Sequence, residues 1–284
     1  MPELPEVETM RRGVVDARGC RIVAVSKPRC LKKPIEIRPG IAQFRRRVRG
    51  ATIVELGRAG KRVVIWLDTD DAIVVEPRMT GLLLVVDPPT TEHLRWRMQL
   101  EGGLEILYWD RRGLGNVRLF SRSEFQERFG ADRLGPDALE ITAEAYCEKL
   151  GRSKREIKPA LLDQRAVAGI GNLYASEILH VAGIHPLRRC SAMTARQWQA
   201  LTAATHKVLT EAVRYEGSTL GDGTYRNALN QQGGYQNKHQ VYDRAGEKCL
   251  RCKTGKIQRL VQTQRSTFYC AKCQQRSGAR IVGG

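Results

Sequence analysis

Between residues 3 and 15 the apolar positions Val7, Met10 and Val14 recur at helical spacing, while Glu3, Glu6 and Glu8 occupy the first turns. An amphipathic helix with acids at its positive end is therefore expected to open the chain. The pattern then shortens. Apolar-rich runs at 21–25, 51–56, 62–67, 72–75, 82–86, 94–100 and 104–109 are separated by turn-forming stretches such as Gly57-Arg58-Ala59-Gly60, Asp68-Thr69-Asp70-Asp71 and Gly102-Gly103. Short strands punctuated in this way, with no helices expected between them, predict an antiparallel β-sandwich or barrel. Beyond about residue 130 the period changes, and 143–150, 156–163, 173–182 and 195–215 read as helices. The predicted class is α+β in three parts. Residues 1–130 form a helix plus β-sandwich, 131–240 a helical domain, and 241–284 a small finger.

A chain of 284 residues suggests about two domains, each able to bury a core. Hydrophobic residues at 42% and charged residues at 27% are ordinary for a globular protein and argue against general disorder. No apolar run approaches the roughly 18 residues of a membrane helix. The start Met1-Pro2-Glu3-Leu4-Pro5-Glu6 is acidic and broken by proline, the opposite of a signal peptide. A cytoplasmic location follows as the expectation, with no membrane partner.

Charge narrows the partner. There are 48 Lys+Arg against 30 Asp+Glu, a net +18. Residues 11–62 hold 16 basic and 3 acidic side chains, and residues 244–284 hold 10 and 1. Charge runs are commonly solvated faces. Two concentrated segments far apart in one folded chain favour a polyanion, for which a nucleic-acid backbone is the simplest candidate.

Four of the eight cysteines carry a spacing of their own: Cys249-x2-Cys252, 17 intervening residues, then Cys270-x2-Cys273. Two C-x2-C knuckles aim four thiolates at one tetrahedral zinc ion. The stretches 256–261 and 266–269 between them read as two strands of a zinc-ribbon-like finger. Two disulfides would need an oxidising compartment that nothing in the sequence indicates. One structural zinc ion is expected, because so small and basic a unit would hardly fold unaided. Cys20, Cys30, Cys147 and Cys190 show no ligand spacing and read as buried or inert thiols.

Two further stretches carry candidate chemistry. Val167-Ala168-Gly169-Ile170-Gly171-Asn172 joins two predicted helices, and its glycines allow either a plain turn or close approach to a phosphate, with Asn172 as helix cap or phosphate donor. At the other end, removal of Met1 would leave Pro2 with a secondary α-amine of pKa near 7.7–8. Condensed with an aldehyde carbon, such an amine gives a cationic iminium, an electron sink for elimination of a neighbouring phosphate, with Glu3 beside it to move protons. The same residues could instead simply open a helix.

The assembled motifs resemble the bacterial formamidopyrimidine-DNA glycosylase family. The resemblance lies in the run Met1 to Thr9, in Gly60-Lys61, in Met79-Thr80-Gly81, in the run Ile157 to Gln164, in the Gly169–Glu177 turn and helix, in Val241-Tyr242-Asp243-Arg244, and in the run Gln264 to Cys270. These span nearly the whole chain in the family's order. The resemblance implies a helix–two-turn–helix DNA-binding domain, and a bifunctional glycosylase and abasic-site lyase of base-excision repair acting on oxidised purines in double-stranded DNA. It implies β,δ-elimination through a Pro2 iminium, with Glu3 moving protons during ring opening and Lys61 donating a proton and holding phosphate. It further implies that Lys158, Asn172 and Arg265 grip phosphates, that Glu6 shapes the lesion pocket, and that Met79 and Arg112 enter the duplex. The family's Asp-Pro-Arg-Arg-Phe-Gly stands here as Asp110-Arg111-Arg112-Gly113-Leu114-Gly115, so Leu114 replaces an aromatic wedge. Glu76-Pro77-Arg78 replaces His-Leu-Gly, placing an acid where phosphate would repel it unless Arg78 compensates or the strand points differently. Leu220-Gly221-Asp222-Gly223-Thr224 lacks the basic and aromatic residues of the lesion-covering loop. A monomer fits one active site per lesion and is the expected form, in the cytoplasm with the nucleoid. Leu4 favours the purine branch over an endonuclease VIII-like branch for oxidised pyrimidines, and a non-catalytic damaged-DNA binder of the same fold is the remaining alternative.

Overall fold

The computed structural model describes residues 2–221 and 223–276, and the chain divides into two compact units, Met1–Arg133 with Ala212–Gln236, and Leu134–Glu211 with Asn237–Gly284. Met1 and Asp222, singled out above, lie outside the described residues.

The first unit begins with helix α1 (Leu4–Gly13), started by an early proline and by a reciprocal cap between Glu3 and Glu6, and closed by Arg11 and Arg12 at its negative end. Nine strands follow: β1 (Ile22–Ser26), β2 (Glu36–Arg38), β3 (Ile53–Arg58), β4 (Val63–Leu67), β5 (Asp71–Glu76), β6 (Gly81–Leu84), β7 (Leu94–Leu100), β8 (Glu105–Asp110) and β9 (Asn116–Ser121). They form a five-stranded sheet ordered β2-β9-β5-β4-β3 and a four-stranded sheet ordered β1-β7-β8-β6. All pairings are antiparallel except β2 with β9. One core joins the two sheets to α1 through Val7, Met10, Ile65, Ile73, Leu82, Trp96 and Tyr108. Burying that apolar surface, at about 25 cal/mol per Å², is the main term holding the sandwich together.

Two helices occur where none was expected, one between the strands and one after the last of them. Helix α2 (Ile41–Val48) buries only Phe44 and Val48, and Arg45, Arg46 and Arg47 fill its last turn. A run of three arginines with so narrow an apolar stripe reads as surface charge, yet the basic turn suits the helix's negative end. Helix α3 (Arg122–Phe129) has no buried residue and is held by a capping box between Ser121 and Glu124. Strand β2, three residues long, is too short to leave a pattern, and β9 is likewise absent from the sequence expectation.

The second unit contains α4 (Ala143–Leu150), α5 (Ile157–Leu161), α6 (Asn172–Ala182), most of α7 (Ala195–Arg214), and a hairpin of β10 (Ile257–Gln262) and β11 (Arg265–Cys270). Glu177 on α6 is fully buried and accepts the backbone N–H groups of Gln240, Val241 and Tyr242 at 2.8–2.9 Å. Burial pushes its carboxyl above the usual range against those three hydrogen bonds. The finger is fastened to the helices by side-chain amides, Gln262 Nε2 donating to the Pro186 carbonyl at 3.2 Å and Gln274 Nε2 to the Ile184 carbonyl at 2.8 Å.

Candidate nucleic-acid interface and metal centre

In the first unit the candidate chemistry gathers around the start of α1. Pro2 and Glu3 are buried, and the Glu3 backbone N–H donates to Glu6 Oε2 at 2.8 Å. The other oxygen of Glu6 accepts the Ser218 N–H at 2.9 Å, tying α1 to the loop that follows α7. Gly217 permits this closeness, since its φ is +77° and a Cβ there would lie 2.7 Å from Glu6 Oε1. Tyr225, also buried, donates its hydroxyl to the Glu216 carbonyl at 2.9 Å. The carboxylate of Glu6 is thus a fixed strut between the helix start and this loop.

Lys61 is half-buried in the turn joining β3 and β4. The turn is anchored to α1 through Arg58, whose guanidinium meets Glu8 at 3.2 Å and the Gly60 carbonyl at 3.1 Å. Burial raises the Glu8 carboxyl, but hydrogen bonds from Arg11 and Arg12 and the charges of Arg11 and Arg58 outweigh it and bring the group down to about 2. Glu8 is therefore a charged, multiply paired buttress.

Met79, Arg112 and Leu114 sit on two neighbouring segments. Met79 is 36% exposed, Arg112 is exposed and Leu114 half-buried. The acid that looked misplaced beside them is neutralised within the protein. Glu76 contacts Arg62 and Arg78 at 3.3 Å and accepts from Asn116 Nδ2 at 3.2 Å. Against burial, those partners hold its carboxyl below the usual range.

In the second unit a hydrogen-bonded network of polar side chains forms at the start of α6. Gly171 is the cap residue and brings no side chain, so Asn172 is the first helical residue rather than the cap. Asn172 Oδ1 accepts from Lys158 Nζ at 2.6 Å, and its Nδ2 donates to the Ser266 carbonyl at 3.0 Å. Lys158 is 1% exposed and also donates to the Ser266 carbonyl at 2.9 Å and to Thr267 Oγ1 at 2.8 Å. Its ammonium thus welds α5, α6 and β11 together. Arg265, the residue before Ser266, is exposed at the hairpin tip. The two-residue turn before it, Thr263-Gln264, has φ of 45° and 62°, the left-handed pair of a tight hairpin made here without glycine or asparagine.

Cys249, Cys252, Cys270 and Cys273 bring their sulfurs within 4.8 Å of one another, with Cys249–Cys273 and Cys252–Cys270 both at 3.8 Å. Disulfides would put sulfurs about 2.05 Å apart. A tetrahedron with about 2.3 Å zinc–sulfur bonds has edges of about 3.8 Å, so the four thiols fit the ion. His180 Nε2 lies 3.5 Å from Cys249 Sγ. Of the other thiols, Cys190 is buried and pushed up to about 11, Cys20 and Cys30 are half-buried, and Cys147 is exposed.

Sequence reasoning missed the residues that hold these side chains in place: Ser218, Tyr225, Thr80 and Asp110. Thr80 and Asp110 lie inside the motifs Met79-Thr80-Gly81 and Asp110 to Gly115, and Asp110 also carried a physical signal of its role, an aspartate preceding a glycine-rich loop whose backbone it could cap.

Three family models match the chain: the formamidopyrimidine-DNA glycosylase N-terminal domain over residues 1–117, the formamidopyrimidine-DNA glycosylase H2TH domain over 134–223, and the zinc finger found in FPG and IleRS over 246–276. The last spans the four cysteines, which hold one structural zinc ion. The formamidopyrimidine-DNA glycosylase of Chloroflexus aurantiacus is 38% identical over 277 residues, 96% of this chain and 98% of that protein. Among solved structures, a point mutant of the Lactococcus lactis FPG in complex with a Fapy-dG containing DNA superposes with a TM-score of 0.85 at 32% identity, covering 97% of this chain and 100% of that one. The wild-type Lactococcus lactis protein in complex with DNA containing an oxidised pyrimidine gives 0.84 at 31% identity, with coverage of 97% and 100%.

Proposed function

The chain belongs to the formamidopyrimidine-DNA glycosylase family and is a base-excision repair DNA glycosylase and abasic-site lyase; we propose that it removes oxidised purines, 8-oxoguanine and formamidopyrimidines, from double-stranded DNA through Pro2. The observation that supports this reading is the start of α1, where the backbone of Glu3, directly after the buried Pro2, is held by the Glu3–Glu6–Ser218 hydrogen bonds. Once Met1 is removed, the Pro2 nitrogen attacks C1′ of the damaged nucleotide. The N–C1′ bond forms as the glycosidic bond breaks, and Lys61 supplies the proton to the departing base. Glu3 protonates O4′ as the sugar ring opens, leaving a Pro2 iminium. Loss of a C2′ proton then expels the 3′ phosphate, a second elimination expels the 5′ phosphate, and hydrolysis of the iminium frees Pro2.

The reacting carbon is out of reach inside stacked DNA, so the nucleotide must be extruded. In this proposal Met79 and Leu114 fill the vacated space and Arg112 faces the orphaned base. Glu6 shapes the lesion pocket from its fixed position. Asn172 and Arg265 hold flanking phosphates at the positive end of α6. Lys158, whose side chain is directed at three protein acceptors, enters this reading as the residue that positions Asn172 and the 266–267 backbone. The three-part division at about 130 and 240 is kept as part of the proposal, supported by the extents of the three matching models. We place the protein as a monomer in the cytoplasm, with the nucleoid.

Borohydride trapping tests the proposal. The processed protein should form a stable adduct with duplex containing 8-oxoguanine, and Pro2→Gly or retention of Met1 should lower trapping by roughly a thousandfold or more. No adduct from processed wild-type protein, or full activity with Met1 attached, overturns it. A parallel thymine-glycol duplex tests lesion class, and preferential trapping there would favour the oxidised-pyrimidine reading.

A further inference from the structure

The two segments that carry Met79 and Arg112–Leu114 share one buried foundation. Asp110, the last residue of β8, is fully buried. Its Oδ2 accepts the backbone N–H groups of Leu114 at 2.9 Å and Gly115 at 2.8 Å. Its Oδ1 accepts the N–H of Arg112 at 3.1 Å and the hydroxyl of Thr80. Thr80, 2% exposed, in turn accepts the Arg112 N–H at 3.0 Å. One carboxylate and one hydroxyl therefore link the residue after Met79 to the backbone of Arg112.

Beneath them the same two segments close on one phenol. Tyr108 is fully buried and donates its hydroxyl to the Glu76 carbonyl at 3.3 Å. A Cβ at Gly81 would lie 2.2 Å from that oxygen, and one at Gly115 only 1.8 Å. Both glycines are needed for the segments to meet there. On the far side Arg95, 2% exposed, donates Nε to the Asp110 carbonyl at 2.8 Å. The tips remain exposed while the base is fully bonded, which is how two loops are made to act as a single rigid element.

We propose that Thr80, through Asp110, is a positioning residue that locks the Met79 turn and the 111–115 loop into one unit, so that gap filling and reading of the orphaned base occur together. This rests on the reading above that Met79, Arg112 and Leu114 enter the duplex. Specificity for the opposite base then depends on a side chain that touches no DNA. A ground-state hydrogen bond to a charged acceptor has the strength for this, and residues joined by such a network give non-additive effects.

The test is a double-mutant cycle on single-turnover excision of 8-oxoguanine opposite cytosine and opposite adenine. In the wild-type background Met79→Ala and Arg112→Ala should be non-additive by about tenfold. Thr80→Val should make them additive and reduce the cytosine-to-adenine preference by about tenfold, while Thr80→Ser restores both. Thr80→Ala removes the hydroxyl without pressing a methyl group on Asp110, and serves if the valine variant does not fold. If Met79→Ala and Arg112→Ala leave excision unchanged, the duplex-entry reading fails. If those two matter but the hydroxyl-less variants keep both the coupling and the preference, the positioning role of Thr80 is overturned while the duplex-entry reading stands.

Discussion

Two helix starts in this protein solve the same electrostatic problem in opposite ways. Helix α1 brings its own anion. Glu6 caps the helix from within, accepts Glu3 N–H and Ser218 N–H, and lies near a second buried acid, Glu8, that three arginines neutralise. Helix α6 starts after a glycine, and the polar groups beside it are the amide of Asn172 and the ammonium of Lys158, with the guanidinium of Arg265 on the adjoining hairpin tip. A helix end satisfied by a carboxylate belongs to the protein's own framework and can orient a nucleophile. A helix end that brings no carboxylate of its own suits an external anion. The difference separates the proposed chemistry from the proposed grip, although both begin with a turn at the front of a helix.

Three substitutions would break or sharpen that contrast. The largest effect is expected from the finger that supports the α6 end. Removing zinc, or Cys270→Ser, should unfold the hairpin carrying Ser266 and Arg265 and weaken binding to damaged duplex by about two orders of magnitude or more, with the sandwich's circular dichroism mostly retained. Unchanged binding in an electrophoretic assay would contradict the role of the finger. Next comes the α1 side. Glu8→Gln should cost about 3 kcal/mol in chemical denaturation, since it removes the buried carboxylate that pairs with Arg58, Arg11 and Arg12. The sign with pH follows from a folded pKa of about 2 against an ordinary 4.5. The contribution of Glu8 is fully present above pH 4.5, fades as pH falls toward 2, and should be missing from the acid limb of the variant. The smallest effect is expected at the hairpin tip. Arg265→Ala should weaken binding by about tenfold and reduce the salt slope by about one, whereas an unchanged slope would place that side chain off the phosphates.

Much of this protein was legible in its residues because the relevant signals are local. The two C-x2-C knuckles announce their metal by spacing, and the helices 143–150 and 195–214 follow from period and flanking residues. The turn before Asn172 was recognisable, but its cap assignment was not, since Gly171 takes that position. Helix α2 hid behind its arginines because two buried residues are too few to register as a stripe. Compensation of Glu76 by Arg78, two positions away, was legible in the sequence, whereas Arg62, which arrives from the turn before β4, was not.

By itself the sequence determined the class of elements, the zinc ligands and the residue types able to do amine and phosphate chemistry, since each of these depends on neighbours within a few positions. Only tertiary structure decided what those residues are free to do. Lys158 became a weld because Ser266 and Thr267, over a hundred residues away, supply its acceptors. Glu6 became a strut because Ser218 meets it across 212 positions. Partners so distant in the chain leave no periodic trace, because a hydrogen bond is selected by position in space and any of several residue types can supply it.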